Sequence, residues 1–363
     1  MIAIGIMSGT SADGMDAAAV EIGDERPRPR IRFIAHVARD HPDALRYRIL
    51  AAASGAPLPA HDIATLHAAL GDAYASLARE IAGRAERPPA CVAIHGQTIA
   101  HYPAEHATLQ IGDASRTAIE LGVPVIDDFR SADLALGGQG APLVPFADHL
   151  LFADGTPRAV LNIGGIANVT LLPSDRAEDV TAYDTGPGNM VIDQLARKGG
   201  NELDRDGAAA ARGRVVDPAL ASALAHPYFA RSAPKSTGRE EFGAPFTQQL
   251  LAQVKGAGGS LDDAIATATA LTVETIARAL DGGPWRELIV AGGGARNATL
   301  MDRLRARTKL PIATTDERGI PAEAREAVAF AILGAFRLRG EPNTLPRCTG
   351  ASRAVSAGAV HQP

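Results

Sequence analysis

The chain reads as an α/β protein made of two halves of related design. Short apolar runs at 2–7, 91–94, 158–172 and 288–290 alternate with stretches whose apolar residues recur every three or four positions. Three glycine turns each follow such a run, at Gly9, at Gly164-Gly165 and at Gly292 to Gly294. The strand–turn–strand layout of 158–172 also echoes that of the amino terminus, a faint internal repeat. At 363 residues the chain exceeds one ordinary core, so two domains are expected.

The opening strand runs into Gly-Ile-Met-Ser-Gly-Thr-Ser-Ala-Asp-Gly-Met-Asp, residues 5–16. Gly9 and Gly14 permit backbone angles that a side chain forbids. Ser8, Thr10 and Ser11 offer hydroxyls and backbone N–H groups, and Asp13 and Asp16 offer carboxylates. The chain then returns through 16–22 as a second strand. Such a hairpin suits a phosphate and its magnesium ion, with Asp16 as the metal-binding carboxylate. An ordinary hairpin with a polar tip looks the same.

Residues 24–30, with two prolines and five charges, read as a solvated loop, and 31–38 as a third strand. Ile63, Leu66, Leu70, Tyr74, Leu77 and Ile81 form one apolar helical stripe, which Pro88-Pro89 ends. The strand at 91–94 ends in His95-Gly96-Gln97-Thr98, polar residues just where open α/β sheets place ligands. A hairpin at 101–113, a helix at 115–121 and a strand at 123–126 follow, then Asp127-Asp128-Phe129-Arg130. Gly137-Gly138-Gln139-Gly140-Ala141-Pro142 breaks regular structure and marks the expected domain boundary. The first domain is then 1–136, completed by a carboxyl-terminal helix in about 327–363, and the second is 137–326.

In the second half, Tyr-Asp-Thr-Gly-Pro-Gly-Asn at 183–189 leads into a helix near Met190, whose amino end can favour an anion. Residues 234–239 make a loop with two cations, Lys235 and Arg239, and two hydroxyls; a plain solvated loop has the same composition. Ser260 and Asp263 form a capping pair that opens a helix to about Leu280. Asn297 caps a helix starting at Ala298. The last helix, 322–338, is apolar nearly all round, which predicts burial between layers.

Composition excludes several classes. A net charge of -5 argues against a nucleic-acid backbone as partner. The longest apolar stretch, 327–336, is shorter than the ~20 residues a membrane span needs. The first apolar run lacks a basic leader and is broken by Ser8, so a soluble cytoplasmic protein is expected. Cys91 and Cys348 make no metal or redox spacing and read as reduced thiols. The chain has no P-loop, dinucleotide fingerprint, zinc-helix, paired-cysteine or nucleophile-elbow motif.

The order of the three glycine turns resembles the actin, hexokinase and heat-shock-protein superfamily of ATP-binding folds. That resemblance implies two actin/hexokinase-like (ribonuclease H-like) domains with a nucleotide cleft between them. The blocks 5–16, 95–98, 109–113, 128–130, 137–145, 162–168, 184–189, 234–240 and 292–297, in this order, resemble the anhydro-N-acetylmuramic acid kinases. The match spans nearly the whole chain. It departs before the last helix, where the family's Asp-Ala-x-Glu-Ala is here Glu323-Ala-Arg-Glu326-Ala, so the role of Glu323 stays open.

The resemblance implies transfer of the γ-phosphate of ATP to O6 of 1,6-anhydro-N-acetylmuramic acid, with water opening the anhydro bridge at C1. The product is N-acetylmuramic acid 6-phosphate, in peptidoglycan recycling. ATP would lie on Gly9, Thr10, Ser11, Ala12, Asp13, Gly14, Met15 and Asp16, on Gly164 and Gly165, and on Gly292, Gly293, Gly294 and Asn297. Magnesium would accompany it at Asp16. His95, Gln97, Arg130, Asn189 and Glu326 would contact the sugar, and Arg suits its lactyl carboxylate. A buried histidine and a helix-start carboxylate are the plainer readings of His95 and Glu326.

Asp184 would be the base that primes the water. Spacing alone leaves it between that role and a brace for the following turn, the commoner use of Asp-Thr-Gly. The resemblance also implies a homodimer. A same-fold kinase for another sugar, or a nucleotide-switched actin-like protein, are the rival functions.

Overall fold

In the computed structural model, residues 1–25 and 28–363 are described; Arg26 and Pro27 of the expected 24–30 loop lie outside the described residues. The strands are β1 (Ile2–Ser8), β2 (Gly14–Ile22), β3 (Ile31–Asp40), β4 (Cys91–Ile94), β5 (Gln97–Tyr102), β6 (Ala107–Ile111) and β7 (Val125–Asp127). They continue with β8 (Arg158–Ile163), β9 (Ile166–Leu172), β10 (Thr181–Pro187), β11 (Glu287–Ala291), β12 (Ile312–Thr314) and β13 (Ala359–His361). The chain divides into two units: unit 1 is 1–152 with 319–363, and unit 2 is 153–318.

The sheet of unit 1 runs β13-β7-β4-β1-β2-β3. β1, β2 and β3 are antiparallel neighbours, whereas β1, β4 and β7 run parallel, and β13 closes the edge antiparallel to β7. The sheet of unit 2 runs β10-β9-β8-β11-β12. β8, β9 and β10 are antiparallel, and β8, β11 and β12 parallel. With β13 set aside, the two sheets share strand order and direction. The faint repeat in the sequence is thus a repeat of topology, and β1–β2 corresponds to β8–β9.

In unit 1 the two sides of β1 differ in side-chain size. Ile4 and Ile6 pack into a core with Leu66, Leu70, Tyr74 and Leu77 of the Ala60–Ala82 helix. Gly5 and Ala93 lie against the Arg325–Leu338 helix at Ala327 and Gly334, where small residues let the helix sit close. That helix is buried almost throughout, as its all-round apolar sequence demands. It begins at Arg325 rather than 322. Arg325 forks onto Asp148 of the Val144–Phe152 helix, Nε to Oδ1 at 3.1 Å and Nη2 to Oδ2 at 2.5 Å, with both side chains buried. Phe146 and Phe336 meet edge-on, 5.0 Å between ring centroids.

The glycine run at 137–142 does not end unit 1. The buried Asp133 gathers it: Oδ2 accepts the Gly140 N–H at 2.8 Å, and Oδ1 accepts the Thr349 hydroxyl at 2.7 Å. The Gln139 N–H donates to the Thr349 carbonyl at 2.8 Å. The Val144–Phe152 helix then packs on the Arg325–Leu338 helix, so the crossings fall after Phe152 and after Arg318 instead of at 136 and 326. The hairpin expected at 101–113 begins earlier, at Gln97, and forms its own two-stranded sheet of β5 and β6.

Unit 2 is built on the Leu261–Leu280 helix, buried along most of its length and opened by a complete Ser260–Asp263 capping box. Both cysteines are buried and form no disulfide, and burial pushes the Cys91 thiol up to about 12. Among the described residues no helix is long and apolar enough to cross a membrane.

Candidate active site

The turn between β1 and β2 is braced from beneath. The Ser8 hydroxyl donates to Gln97 Oε1 at 2.5 Å, and Gln97 Nε2 donates to the Gly9 carbonyl at 3.1 Å. Gln97 is buried, and both ends of its amide are engaged. It therefore positions the turn through both ends of its amide. The Ala12 N–H closes the turn on the Gly9 carbonyl at 3.1 Å, and Ala12 itself takes the left-handed conformation at φ 56°. Neither Gly9 nor Gly14 does; Gly14 is glycine because a Cβ there would lie 2.5 Å from the Arg39 carbonyl oxygen of β3. Thr10, Ser11 and Asp13 are exposed at the tip, with Asp13 paired to Arg46 at 2.8 Å. Met15 points into the core, so only its backbone is open to a ligand.

Asp16 leaves the turn with Oδ1 2.8 Å from His36 Nε2. Its other oxygen accepts no hydrogen bond among the described residues, and the side chain is open to solvent. Unit 1 also brings Asp16, Arg130 and Arg325 each within electrostatic reach of Glu326. Glu326 lies in the first turn of its helix, where solvent reaches it although protein crowds it. That crowding raises its carboxyl above the ordinary range; Arg325 opposes the shift, Asp16 adds to it and Arg130 opposes it. The Arg130 guanidinium donates to the Gly140 carbonyl at 2.6 Å and to His95 Nε2 at 2.7 Å, and its Nε has no partner among the described residues. Burial lowers Arg130 to about 10. Burial and then the neighbouring Arg130 hold His95 down to about 3, so its ring is neutral and accepts that bond.

In unit 2, the Gly164-Gly165 turn is held by the chain that follows β10. The N–H groups of Gly188 and Met190 donate to the Gly165 carbonyl at 2.9 and 3.0 Å, and that of Asn189 to the Gly164 carbonyl at 2.8 Å. Of these donors, only the Met190 N–H belongs to the Met190–Lys198 helix, as the first of its amino-end groups. Asn189 Nδ2 also braces the turn, donating to the Ile163 carbonyl at 3.2 Å. The third turn packs on the same hairpin: a Cβ on Gly292 or Gly294 would strike Ile163, and Gly292 has φ 83°. Asn297 Oδ1 accepts the Leu300 N–H at 2.9 Å, the helix cap read from the sequence.

Asp184 is half-buried in the middle of β10, not at the strand end expected from the sequence. Its Oδ2 accepts the Thr237 N–H at 2.9 Å, and its other oxygen accepts no hydrogen bond among the described residues. Burial raises the carboxyl to about 6, with the Thr237 bond opposing and Glu240 adding repulsion. A carboxylate with one oriented oxygen, one free oxygen and a pKa near neutrality is suited to accept a proton. Thr237 and Tyr228, which hold Asp184, carry no signal of this in the sequence, because the contacts cross more than forty positions. Asp193 is a second carboxylate raised by burial to about 6.

Within the three glycine turns, four glycines lack an internal cause. Gly9, Gly164, Gly165 and Gly293 have no left-handed φ, and a Cβ on any of them would meet nothing closer than 3.5 Å. The folded chain leaves open room above the backbone there, of the kind a close-lying phosphate or nucleoside needs. Among the described residues no three His, Cys, Asp or Glu side chains converge on a metal site. Magnesium needs less: one or two carboxylates, water and phosphate oxygens make its octahedron. The free oxygen of Asp16, beside the phosphate-sized turn, fits that donor set.

The family of anhydro-N-acetylmuramic acid kinases matches residues 1–363. The anhydro-N-acetylmuramic acid kinase of Gloeobacter violaceus is 43% identical, covering 99% of this chain and 98% of that protein. That of Salinibacter ruber is 41% identical, covering 99% and 96%. Among solved structures, the activator of the 2-hydroxyisocaproyl-CoA dehydratase from Clostridium difficile with bound ADPNP aligns at 12% identity and TM-score 0.45, covering 92% of this chain and 93% of that one. A ROK family glucokinase from Streptomyces griseus, in complex with glucose and AMPPNP, aligns at 11% identity and TM-score 0.43, covering 92% and 99%.

Proposed function

This chain belongs to the anhydro-N-acetylmuramic acid kinase family, and from that membership we propose that it converts 1,6-anhydro-N-acetylmuramic acid, ATP and water to N-acetylmuramic acid 6-phosphate and ADP. The reading rests above all on the open room over Gly9, Gly164, Gly165 and Gly293, glycines that neither backbone angle nor packing requires. The β1–β2 turn and the Gly164-Gly165 turn take the phosphates, and the turn at Gly292 to Gly294 takes the nucleoside. Asn297 acts there through its backbone, its side-chain oxygen being the helix cap. Asp16 holds the magnesium ion, which neutralises charge on the phosphate oxygens when bound.

The free oxygen of Asp184 accepts a proton from water as that water bonds to C1 of the sugar. The C1–O6 bond breaks, and its electron pair stays on O6. O6 attacks the γ-phosphorus, and ADP leaves. No base is needed at O6, because ring opening makes it the nucleophile. Glu326, Arg130 and His95 bind the sugar side, with the Arg130 charge facing the lactyl carboxylate. Asn189 contributes its remaining amide oxygen. The enzyme works in the cytoplasm as a homodimer on a small amino sugar, and its net charge of -5 is in keeping with a partner other than nucleic acid.

A coupled ADP-release assay over a panel of sugars tests this. Turnover with the anhydro amino sugar, and a 6-phosphate product carrying solvent oxygen at C1, are expected. Preference for glucose, or solvent oxygen absent from C1, overturns it. Light scattering on the eluted protein checks the dimer.

A further inference from the structure

We propose that Tyr228 is a positioning residue for Asp184: its hydroxyl, together with the segment from Lys235 to Thr237, fixes the Asp184 peptide so that one carboxylate oxygen is held and the other is left free. This rests on the reading of Asp184 as the base.

The need for such a clamp comes from the strand. Between β9 and β10 the register breaks at Asp184/Gly186, where Asp184 faces Asn168 but Gly186 already faces Ala167. β10 is also the edge strand of its sheet, so backbone groups on its outer side lie outside the ladder and need other partners. The Tyr228 hydroxyl donates to the Asp184 carbonyl at 2.6 Å. The Asp184 N–H donates to the Lys235 carbonyl at 3.0 Å, and the Thr237 N–H reaches Asp184 Oδ2 at 2.9 Å. The N–H, the carbonyl and one carboxylate oxygen of Asp184 are thus all held by residues 228–237.

The clamp closes on itself. Lys235 Nζ lies 4.7 Å from the centroid of the Tyr228 ring and donates to the Tyr228 carbonyl at 3.4 Å. The Arg231 guanidinium lies 5.2 Å from the same centroid. The ring is fully buried and meets Phe229 and Phe242 edge-on at 5.7 and 5.5 Å. Packing among phenylalanines would be met equally by phenylalanine. The hydroxyl serves the Asp184 carbonyl, its one hydrogen-bond partner among the described residues.

Tyr228→Phe keeps the packing and removes the clamp's oxygen. Compared with the full-length wild type, it should lower kcat about tenfold or more, since small misplacements of a reacting group carry such penalties. KM for the anhydro sugar should stay within about twofold, because the substrate contacts are intact. In single-turnover measurements, adding Tyr228→Phe to Asp184→Asn should cause no further loss, since the two act as one unit. A tyrosine with a purely structural role would instead change both backgrounds alike.

An inactive Asp184→Asn beside a Tyr228→Phe with wild-type kcat overturns the clamp and leaves the base in place. A fully active Asp184→Asn removes the base reading and the clamp with it. If Tyr228→Phe does not fold, Lys235→Met loosens the loop from the ring and should give the same kcat-only loss. Unchanged kcat in that variant overturns the proposal.

Discussion

A methyl group on Gly5 would lie 1.9 Å from the carbonyl oxygen of Ala327, whereas one on Gly9, four residues along, would meet nothing nearer than 3.7 Å. The two glycines answer different demands, one from the core and one from a ligand. Gly5→Ala should therefore destabilise the protein by about 3 kcal/mol or more, because the Arg325–Leu338 helix must move. Gly9→Ala should leave stability unchanged or raise it by about 0.5 kcal/mol, since the unfolded chain loses freedom and no contact is broken. Its KM for ATP should rise about tenfold or more, equivalent to a loss of about 1.4 kcal/mol of binding. Urea unfolding and ATP-dependence curves on the pair separate these effects. An unchanged ATP KM in Gly9→Ala removes the phosphate from that turn.

Asp184 ties activity to pH. Raised from 3.8 to about 6, it is protonated and unable to accept a proton below that value. kcat/KM should therefore fall on the acid side of about 6, and Asp184→Asn should show almost no turnover at any pH. The same shift predicts a stability change of definite sign. The folded state binds this proton more tightly than the unfolded state, so stability falls as pH rises from about 4 to about 6 and stays lower above that. Asp184→Asn escapes this penalty and keeps an acceptor for the Thr237 N–H. It should be more stable than wild type by on the order of 2 kcal/mol at pH 7.5, the gap closing toward pH 4. Thermal melts at both pH values test the sign. A variant less stable than wild type at pH 7.5 contradicts the buried-carboxylate account.

The Arg325–Asp148 fork is the buried ion pair of the carboxyl-terminal helix, 5% and 1% exposed. Removing one partner breaks both bonds of a charged fork inside the core. Arg325→Leu should cost about 3–5 kcal/mol, and the double change Arg325→Leu with Asp148→Leu should recover part of that. Denaturant titration of the three variants reads this directly. A full-cost double variant would mean that other contacts of these residues, rather than the broken fork, dominate.

Most of the strands and long helices were legible, because each carries a period that its burial imposes. β1, β4 and β11 are short apolar runs, and the Ala60–Ala82 helix shows one stripe. The caps at Ser260 and Asn297 were legible for the same local reason. What escaped was set by distant contacts. The glycines at 137–140 look like a linker in sequence, and only the Asp133 carboxylate and Thr349 make them part of a core. Gln97 looks only like a ligand contact in sequence, and its bracing of Ser8 and Gly9 appears only in the fold. The Asp43–Ala53 helix carries a weak stripe and few buried residues, so no period announced it. In the site, the glycine turns and Asp184 were visible as motifs, but Tyr228 and Thr237 reach Asp184 across intervals that no local pattern encodes.

Unit 1 is closed by residues 319–363, whereas unit 2 occupies one uninterrupted stretch between its two parts. During synthesis the central stretch emerges with all its strands and can complete its core on the ribosome. β1, β2 and β4 must wait for the Arg325–Leu338 helix, which leaves the exit tunnel only after the whole of unit 2. The amino-terminal sheet therefore has one uncovered face for most of translation. The dependence of that face on chaperones should end only when the carboxyl-terminal helix arrives.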